Sequence, residues 1–397
     1  MLEYAGSQRA GLRGEREAPH LLAVVRSLDW VLLLGVAGLV VVGLWAVAGV
    51  TRFAIPSDPS YYLNRQILYA CLGAVVLVAA ALVDPDLYRR YWRAIFVGTS
   101  VVIAFVLLIG HASHGSTRWI SLGFFTFQPS EFGKLLFVLA LAGMLAERQR
   151  DLGSWGTTLR VVGLGLVPVL LVFAQPDLGT ALVYLAALGA MLFVAGVPWR
   201  HLTVLGAVVV VGVVGVLWAG PAAGVNMLKP YQQHRLTCFW HPSTCSVDAR
   251  YNLEQSLAAV GSGQIRGRGL NGSSQVKLGF LPESGTDFIG AGFAEQRGFV
   301  GMALLLALYL LVLWRGLRVV TVARDLFSAI VAGGIVVALL FQIFVNIGMT
   351  MGIAPITGIP LPFVSVGGSS LIANLAAMGV LLAIHARGRV SRYSRRR

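Results

Sequence analysis

Four short polar segments interrupt an otherwise apolar chain, and they hold the side chains whose types and spacing could do chemistry. In Leu281-Pro282-Glu283-Ser284-Gly285-Thr286-Asp287-Phe288, a carboxylate (Asp287) lies between a Pro- and Gly-containing turn and an apolar stretch. Partial desolvation there would raise a carboxyl pKa towards the range of a general base. A capping or bridging carboxylate fits the same place, and residue types alone leave both readings open. Glu295 follows just beyond.

Gln128-Pro129-Ser130-Glu131-Phe132-Gly133-Lys134 reads as a helix start, with Pro129 in the first turn and Ser130 able to contribute to its cap. Glu131 and Lys134 are three residues apart, so they share a face and can pair, either as a site or as a lock within the bundle. Gln175-Pro176-Asp177-Leu178-Gly179-Thr180 sets Asp177 at the start of another apolar run, where the helix dipole favours an acid whether or not it does chemistry. Asp29 opens the first apolar run, where capping is the stronger reading. In Gly358-Ile359-Pro360-Leu361-Pro362-Phe363, continuing to Gly367-Gly368-Ser369-Ser370, helix breakers interrupt apolar sequence. At membrane depth such backbone is tolerated only beside protein or a watery cavity, so the segment lines a site or forms a re-entrant loop. Asn346 reads as interhelical hydrogen bonding rather than catalysis. Gly261-Ser262-Gly263-Gln264 with Arg266-Gly267-Arg268-Gly269 admits close backbone approach to a phosphate, but a plain loop fits it better.

The elements that must position these groups are membrane helices. Of 397 residues, 57% are hydrophobic and 12% charged, with mean hydropathy +0.77. That balance excludes a water-soluble enzyme, a disordered chain and a secreted disulfide scaffold. Apolar runs of spanning length predict ten helices, at 28–50, 64–83, 94–110, 130–146, 159–174, 178–197, 202–219, 298–314, 326–349 and 368–386. The expected fold is therefore an all-α polytopic membrane protein. A tail (1–27) precedes the membrane domain (28–386), and a basic tail (387–397) follows it. The first run is too long for a signal peptide and reads as an anchor.

The net charge is +14. With no soluble basic face for nucleic acid, the positive charge reads as topology signal and attraction to membrane lipids. With both termini cytoplasmic, 20 of the 31 Lys and Arg residues fall on the inner side. The large loop between spans seven and eight (220–297) is then extracytoplasmic, and the four polar segments all fall on the outer face, away from nucleotide cofactors. Cys238 and Cys245 in that loop make a structural disulfide plausible on the oxidising side.

The polar segments together resemble those of the SEDS family of bacterial cell-wall proteins (RodA, FtsW and SpoVE). The residues that carry the resemblance are Arg118-Trp119-Ile120, Gln128-Pro129-Ser130-Glu131, Gln175-Pro176-Asp177-Leu178-Gly179-Thr180, Leu281-Pro282-Glu283 with Thr286-Asp287-Phe288, and Pro360-Leu361-Pro362-Phe363-Val364-Ser365 with Gly367-Gly368-Ser369-Ser370. They stand in the family's order and span roughly residues 27 to 386. Leu28-Asp29-Trp30 and the wording around Gly358 are nearer the RodA branch. Three departures bear on loops and partner contacts: Val366 replaces a usual aromatic, Ala294-Glu295-Gln296-Arg297 replaces a more acidic run, and the Cys238/Cys245 loop replaces a Pro- and Asp-rich segment.

The resemblance implies ten helices and a peptidoglycan glycosyltransferase of the bacterial cytoplasmic membrane, joining lipid II disaccharides outside it for elongation and shape. It implies a class B penicillin-binding protein as partner, within the elongation machinery. The family's essential carboxylate falls on Asp287, its acid-and-lysine pair on Glu131 and Lys134, and its Gln-Pro-Asp acid on Asp177. On this reading Asp287 deprotonates an acceptor hydroxyl. Lys134, Arg118 and Arg235 contact pyrophosphate, and Ser365, Gly367, Gly368 and Ser369 line the substrate site. No organic cofactor is expected, and a divalent cation (Mg or Mn) shared by Asp287 and Glu131 is the one metal reading. A lipid II flippase and a non-catalytic scaffold for the transpeptidase are the alternatives. The crowding of polar motifs on one face favours the enzyme.

Overall fold

In the computed structural model, the structure describes residues 27–109, 111–113, 116–121, 126–215 and 247–394. The chain is a helical membrane protein. Among the described residues, seven helices are long and apolar enough to cross a bilayer, and three shorter apolar helices accompany them. These ten coincide with the ten apolar runs.

The helices are α1 (Trp30–Val50), α2 (Tyr61–Leu82), α3 (Pro85–Arg90), α4 (Trp92–Ile109), α5 (Pro129–Glu147), α6 (Trp155–Ala174), α7 (Leu178–Val194) and α8 (Trp199–Val214). Then come α9 (Val247–Gly263), the single turns α10 (Gly269–Gly272) and α11 (Ser274–Lys277), α12 (Ile289–Val322), α13 (Leu326–Thr350) and α14 (Gly368–Ser394). The sequence reading had no strands, yet β1 (His111–Ser113), β2 (Ser116–Ser121) and β3 (Thr126–Phe127) form a small antiparallel meander ahead of α5. In its second ladder Ile120 faces Phe127 and Ser121 faces Thr126. The segment lies between helices in a polar loop, where alternation over so few residues carries little signal.

Burial sorts the helices into centre and rim. Most of α5 and α13 and all of the spanning part of α14 are buried, whereas α2 and α12 show broad apolar faces outward. In lipid such faces are expected, and association rests on close packing rather than on escape from water. α14 packs most extensively on α2, α12 on α1, α13 on α7, and α4 on α5. Glycine sets these approaches. A Cβ at Gly379 of α14 would lie 2.3 Å from the Leu77 carbonyl of α2, and one at Gly43 of α1 would lie 2.3 Å from the Phe363 carbonyl.

Two helices depart furthest from their predicted bounds. α12 begins at Ile289, nine residues before the predicted span, because a non-helical Gly298 (φ 63°) joins two helical pieces across a kink. α14 continues to Ser394, so several basic residues beyond 386 are helical. At the end away from the polar segments, Asp29 caps α1 by accepting from the Leu32 N–H, and Arg315 of α12 grips the same carboxylate through Nε and Nη2.

Candidate functional site

The four polar segments converge. Residues of α2 (Tyr62, Arg65, Tyr69), Trp119, Thr126, Gln128, Asp177, Thr180, Thr286, Asp287, Gly358, Pro360 and Val366 to Ser370 line one cleft of about 270 Å³. Asp177 and Asp287 are its carboxylates. Arg65 is the cationic side chain lining it among the described residues, and it lies over the Tyr61 ring at 4.6 Å.

The backbone around Asp287 is fixed from three directions. The Ser365 hydroxyl donates to the Thr286 carbonyl (2.6 Å) and accepts from the Leu361 N–H (2.8 Å). The Val366 N–H donates to the Gly285 carbonyl (2.9 Å). From within α13, Asn346 Nδ2 donates to the carbonyls of Asp287 (3.0 Å) and Ile359 (2.7 Å). Gln66 of α2 is buried and holds the facing loop at both ends. Its Nε2 donates to the Ser365 carbonyl (3.0 Å) and its Oε1 accepts from the Gly367 N–H (3.3 Å). Glu283 has a positive φ of 49° and accepts from the Thr286 hydroxyl (2.8 Å), tightening the turn before Asp287.

The opposite wall is tied with equal economy. Asp177 accepts from the Thr180 N–H (3.2 Å) as the cap of α7, and its other oxygen accepts from Gln128 Nε2 (3.2 Å). Asp177 is thus the helix cap that one reading expected, and it also lines the cleft. Trp119 Nε1 donates to Gln128 Oε1 (3.1 Å), and the Gln128 N–H donates to the Ser369 hydroxyl (3.0 Å), which donates to the Thr126 carbonyl (2.9 Å). Pro129 opens α5 as expected. Ser130 does not cap it, because its hydroxyl accepts from Gln128 Nε2. Gly367 to Ser370 bring the start of α14 to the cleft wall, where the helix dipole favours negative charge.

Glu131 and Lys134 are not in this cleft. Lys134 Nζ donates to Glu131 Oε2 and to Gln342 Oε1, both at 2.8 Å. The pair is buried and lines a separate cavity of about 30 Å³ between α5, α13 and α14. A cation shared by Glu131 and Asp287 does not fit, because the two carboxylates line different cavities. No cluster of three or more His, Cys, Asp or Glu occurs among the described residues. Arg118 lies in β2, and its side chain is outside the described residues, as are Arg235, Cys238 and Cys245.

Glu295 is structural. Fully buried, it accepts from the backbone N–H groups of Gln275 (2.9 Å) and Val276 (3.1 Å) at the start of α11. The Gly-rich run needs its glycines for protein backbone rather than phosphate. A Cβ at Gly263 would lie 2.1 Å from the Ala294 carbonyl, and one at Gly267 2.2 Å from the Gln296 carbonyl.

Fold and site together define a polytopic helical membrane protein whose polar chemistry is gathered in one carboxylate-bearing cleft at the helix ends. The chain belongs to the FtsW/RodA/SpoVE family, described as cell cycle protein, whose profile matches residues 26–390. It is 37% identical to stage V sporulation protein E of Bacillus subtilis over 385 residues, covering 96% of this chain and 99% of that protein. It is 37% identical to the peptidoglycan glycosyltransferase MrdB of Escherichia coli, covering 81% and 85%. Among solved structures, it resembles a chain of a peptidoglycan synthase complex that coordinates polymerization and crosslinking, with TM-score 0.75, 31% identity and coverage of 91% and 98%. It also resembles the rod shape determining protein RodA of Thermus thermophilus, with TM-score 0.65, 29% identity and coverage of 90% and 96%.

Proposed function

We propose that this protein is a peptidoglycan glycosyltransferase that polymerises lipid II on the outer face of the cytoplasmic membrane, with Asp287 as the base. The observation that carries the reading is the joining of Asp287 to Arg65 and the start of α14 in one polar cleft, in a chain whose relatives are named for this activity.

Asp287 takes the proton from the acceptor sugar 4-hydroxyl as that oxygen bonds to the donor anomeric carbon. The bond from that carbon to the lipid pyrophosphate breaks with inversion, and the leaving group departs with the electron pair. The pyrophosphate supplies the driving force, so no nucleotide is needed. Developing charge on the leaving group is met by Arg65, for which bidentate phosphate contact is the natural geometry. N–H groups at the start of α14 assist it. Arg118 and Arg235 remain candidates for the same anion. Lys134, held by Glu131 and Gln342, instead serves the helices around the cleft. No step is routed through a metal.

Likeness to RodA supports a role in elongation and shape, and likeness to a chain of a peptidoglycan synthase complex supports a class B penicillin-binding protein as the crosslinking partner. The cytoplasmic ends are the Arg-rich ones, with both termini inside.

The test is to purify wild type and Asp287→Asn with the cognate transpeptidase and supply labelled lipid II. Glycan polymer from wild type and none from the folded variant is the expected result. Equal polymer from both would remove Asp287 as base. No polymer from either assembled pair would restore the flippase or scaffold reading.

A further inference from the structure

We propose that a buried polar stripe on α13 is a positioning device for Asp287, with Asn346 as its acting residue and the Glu131–Lys134 pair as its far anchor. The inference rests on Asp287 being the base.

Gln342, Asn346 and Thr350 follow one another at four-residue spacing, so they lie on one face of α13. All three are buried. Each holds a different part of the molecule. Gln342 Oε1 accepts from Lys134 of α5 (2.8 Å), Asn346 Nδ2 donates to the carbonyls of Asp287 and Ile359, and the Thr350 carbonyl accepts from Ser256 of α9 (2.8 Å).

Asn346 faces two backbone carbonyls, which can only accept, so its amide must present the NH₂ group. That leaves Oδ1 buried without a partner among the described residues. A leucine of similar volume would avoid that penalty, so the amide fits this position through its two donors. They tie Asp287 to Ile359, which sits between the cleft-lining Gly358 and Pro360. One side chain thereby sets the base relative to the opposite loop without itself lining the cleft.

Gln342 explains why the Glu131–Lys134 pair lies outside the cleft. Gln342 Nε2 is spent on the Ala338 carbonyl within α13 (3.2 Å), leaving Oε1 for Lys134. The ammonium therefore bridges Glu131 and α13 and fixes the depth of α13 beside α5. Moving α13 moves Asn346, and Asn346 carries the Asp287 carbonyl.

The experiment compares Asn346→Leu, Gln342→Leu and Gln342→Glu, each purified with the cognate transpeptidase, for kcat and KM with lipid II and for melting temperature. Asn346→Leu should lower kcat about 10- to 100-fold, as expected when a catalytic group is displaced, with KM within about threefold. Gln342→Leu should lower kcat in the same manner, and Gln342→Glu should recover most of it, because a carboxylate still accepts from Lys134. The double Leu variant should lose less than the product of the single losses, as residues acting through one element do.

Wild-type kcat in a folded Asn346→Leu protein would overturn the proposal, as would an unchanged kcat in Gln342→Leu. Equal losses in the two Gln342 variants would also overturn it. If Asn346→Leu fails to fold, the Gln342 pair decides. Full activity in Asp287→Asn would sink the functional reading itself. An inactive Asp287→Asn beside a fully active Asn346→Leu would sink this inference alone.

Discussion

At the residue scale, the proposed function divides the cleft into groups that would meet substrate and groups that hold them. Arg65 is of the first kind. It is exposed, lines the cleft and lies over the Tyr61 ring. A charged hydrogen bond to a phosphate contributes about 1.5–3 kcal/mol, so Arg65→Gln should reduce kcat/KM about 10- to 100-fold. Arg65→Lys should recover only part of that, because a point charge cannot reproduce the bidentate fork. Steady-state kinetics on both variants would check this, and an Arg65→Gln enzyme with wild-type kcat/KM would remove Arg65 from the site. Asp287 and Asp177 were legible in the sequence because an acid beside an apolar run demands an explanation. Arg65 and Gln66 were not. A single Arg near the start of an apolar helix looks like any cation at a membrane boundary, and a lone Gln has no spacing partner to betray it. Their roles exist only once α2 packs along α14 and brings them to the 365–367 loop.

At the scale of elements, hydropathy located the apolar helices of the described residues, seven of them long enough to span, because a spanning helix must be apolar along its length. What it could not give was how the non-spanning backbone is used. The glycines of 261–269 read as loop or phosphate cradle, whereas they let that segment press against the kink of α12. There the N–H groups of Phe299 and Val300 donate to the carbonyls of Gln264 and Ile265, and Gly298 passes a Cβ position 2.3 Å from the Gly267 nitrogen. Gly298→Ala therefore meets both a clash and a positive φ. The backbone penalty at φ 63°, ψ −161°, a region essentially reserved for glycine, is roughly 1–3 kcal/mol, so a lowered melting temperature in detergent is expected, and an unchanged one would deny the close approach. Gly379→Leu tests the α2–α14 seam in the same way. Overpacking typically costs about 1–3 kcal/mol, and here the neighbour is the Leu77 carbonyl, which cannot rotate aside. Because α2 carries Arg65 and Gln66, loss of activity should accompany the loss of stability.

At the scale of the whole molecule, the distribution of polar groups decides between an enzyme working at one face and a carrier serving both. The cleft gathers Asp177, Asp287, Arg65 and the start of α14 at one end. At the opposite end Asp29, Arg315 and His385 cluster among α1, α12 and α14. Arg315 grips Asp29 with contacts down to 2.6 Å, and His385 Nε2 approaches the same carboxylate at 3.8 Å. A carrier that exposed its site alternately would have to open that cluster, leaving a buried charge unpaired, which is strongly destabilising. The fixed-cleft reading predicts one-sided access. In a variant with the exposed Cys71 replaced, and Cys238 and Cys245 replaced as well, a cysteine at Tyr62 should react with a membrane-impermeant maleimide added outside spheroplasts. A cysteine at Arg324, in the short turn between α12 and α13, should react only after the membrane is opened. Adding lipid II should protect the Tyr62 position without uncovering the Arg324 one. Labelling of a Tyr62 cysteine from the inner side during turnover would mean that the cleft reaches both faces. A transport cycle would then account for the paired acids better than polymerisation does.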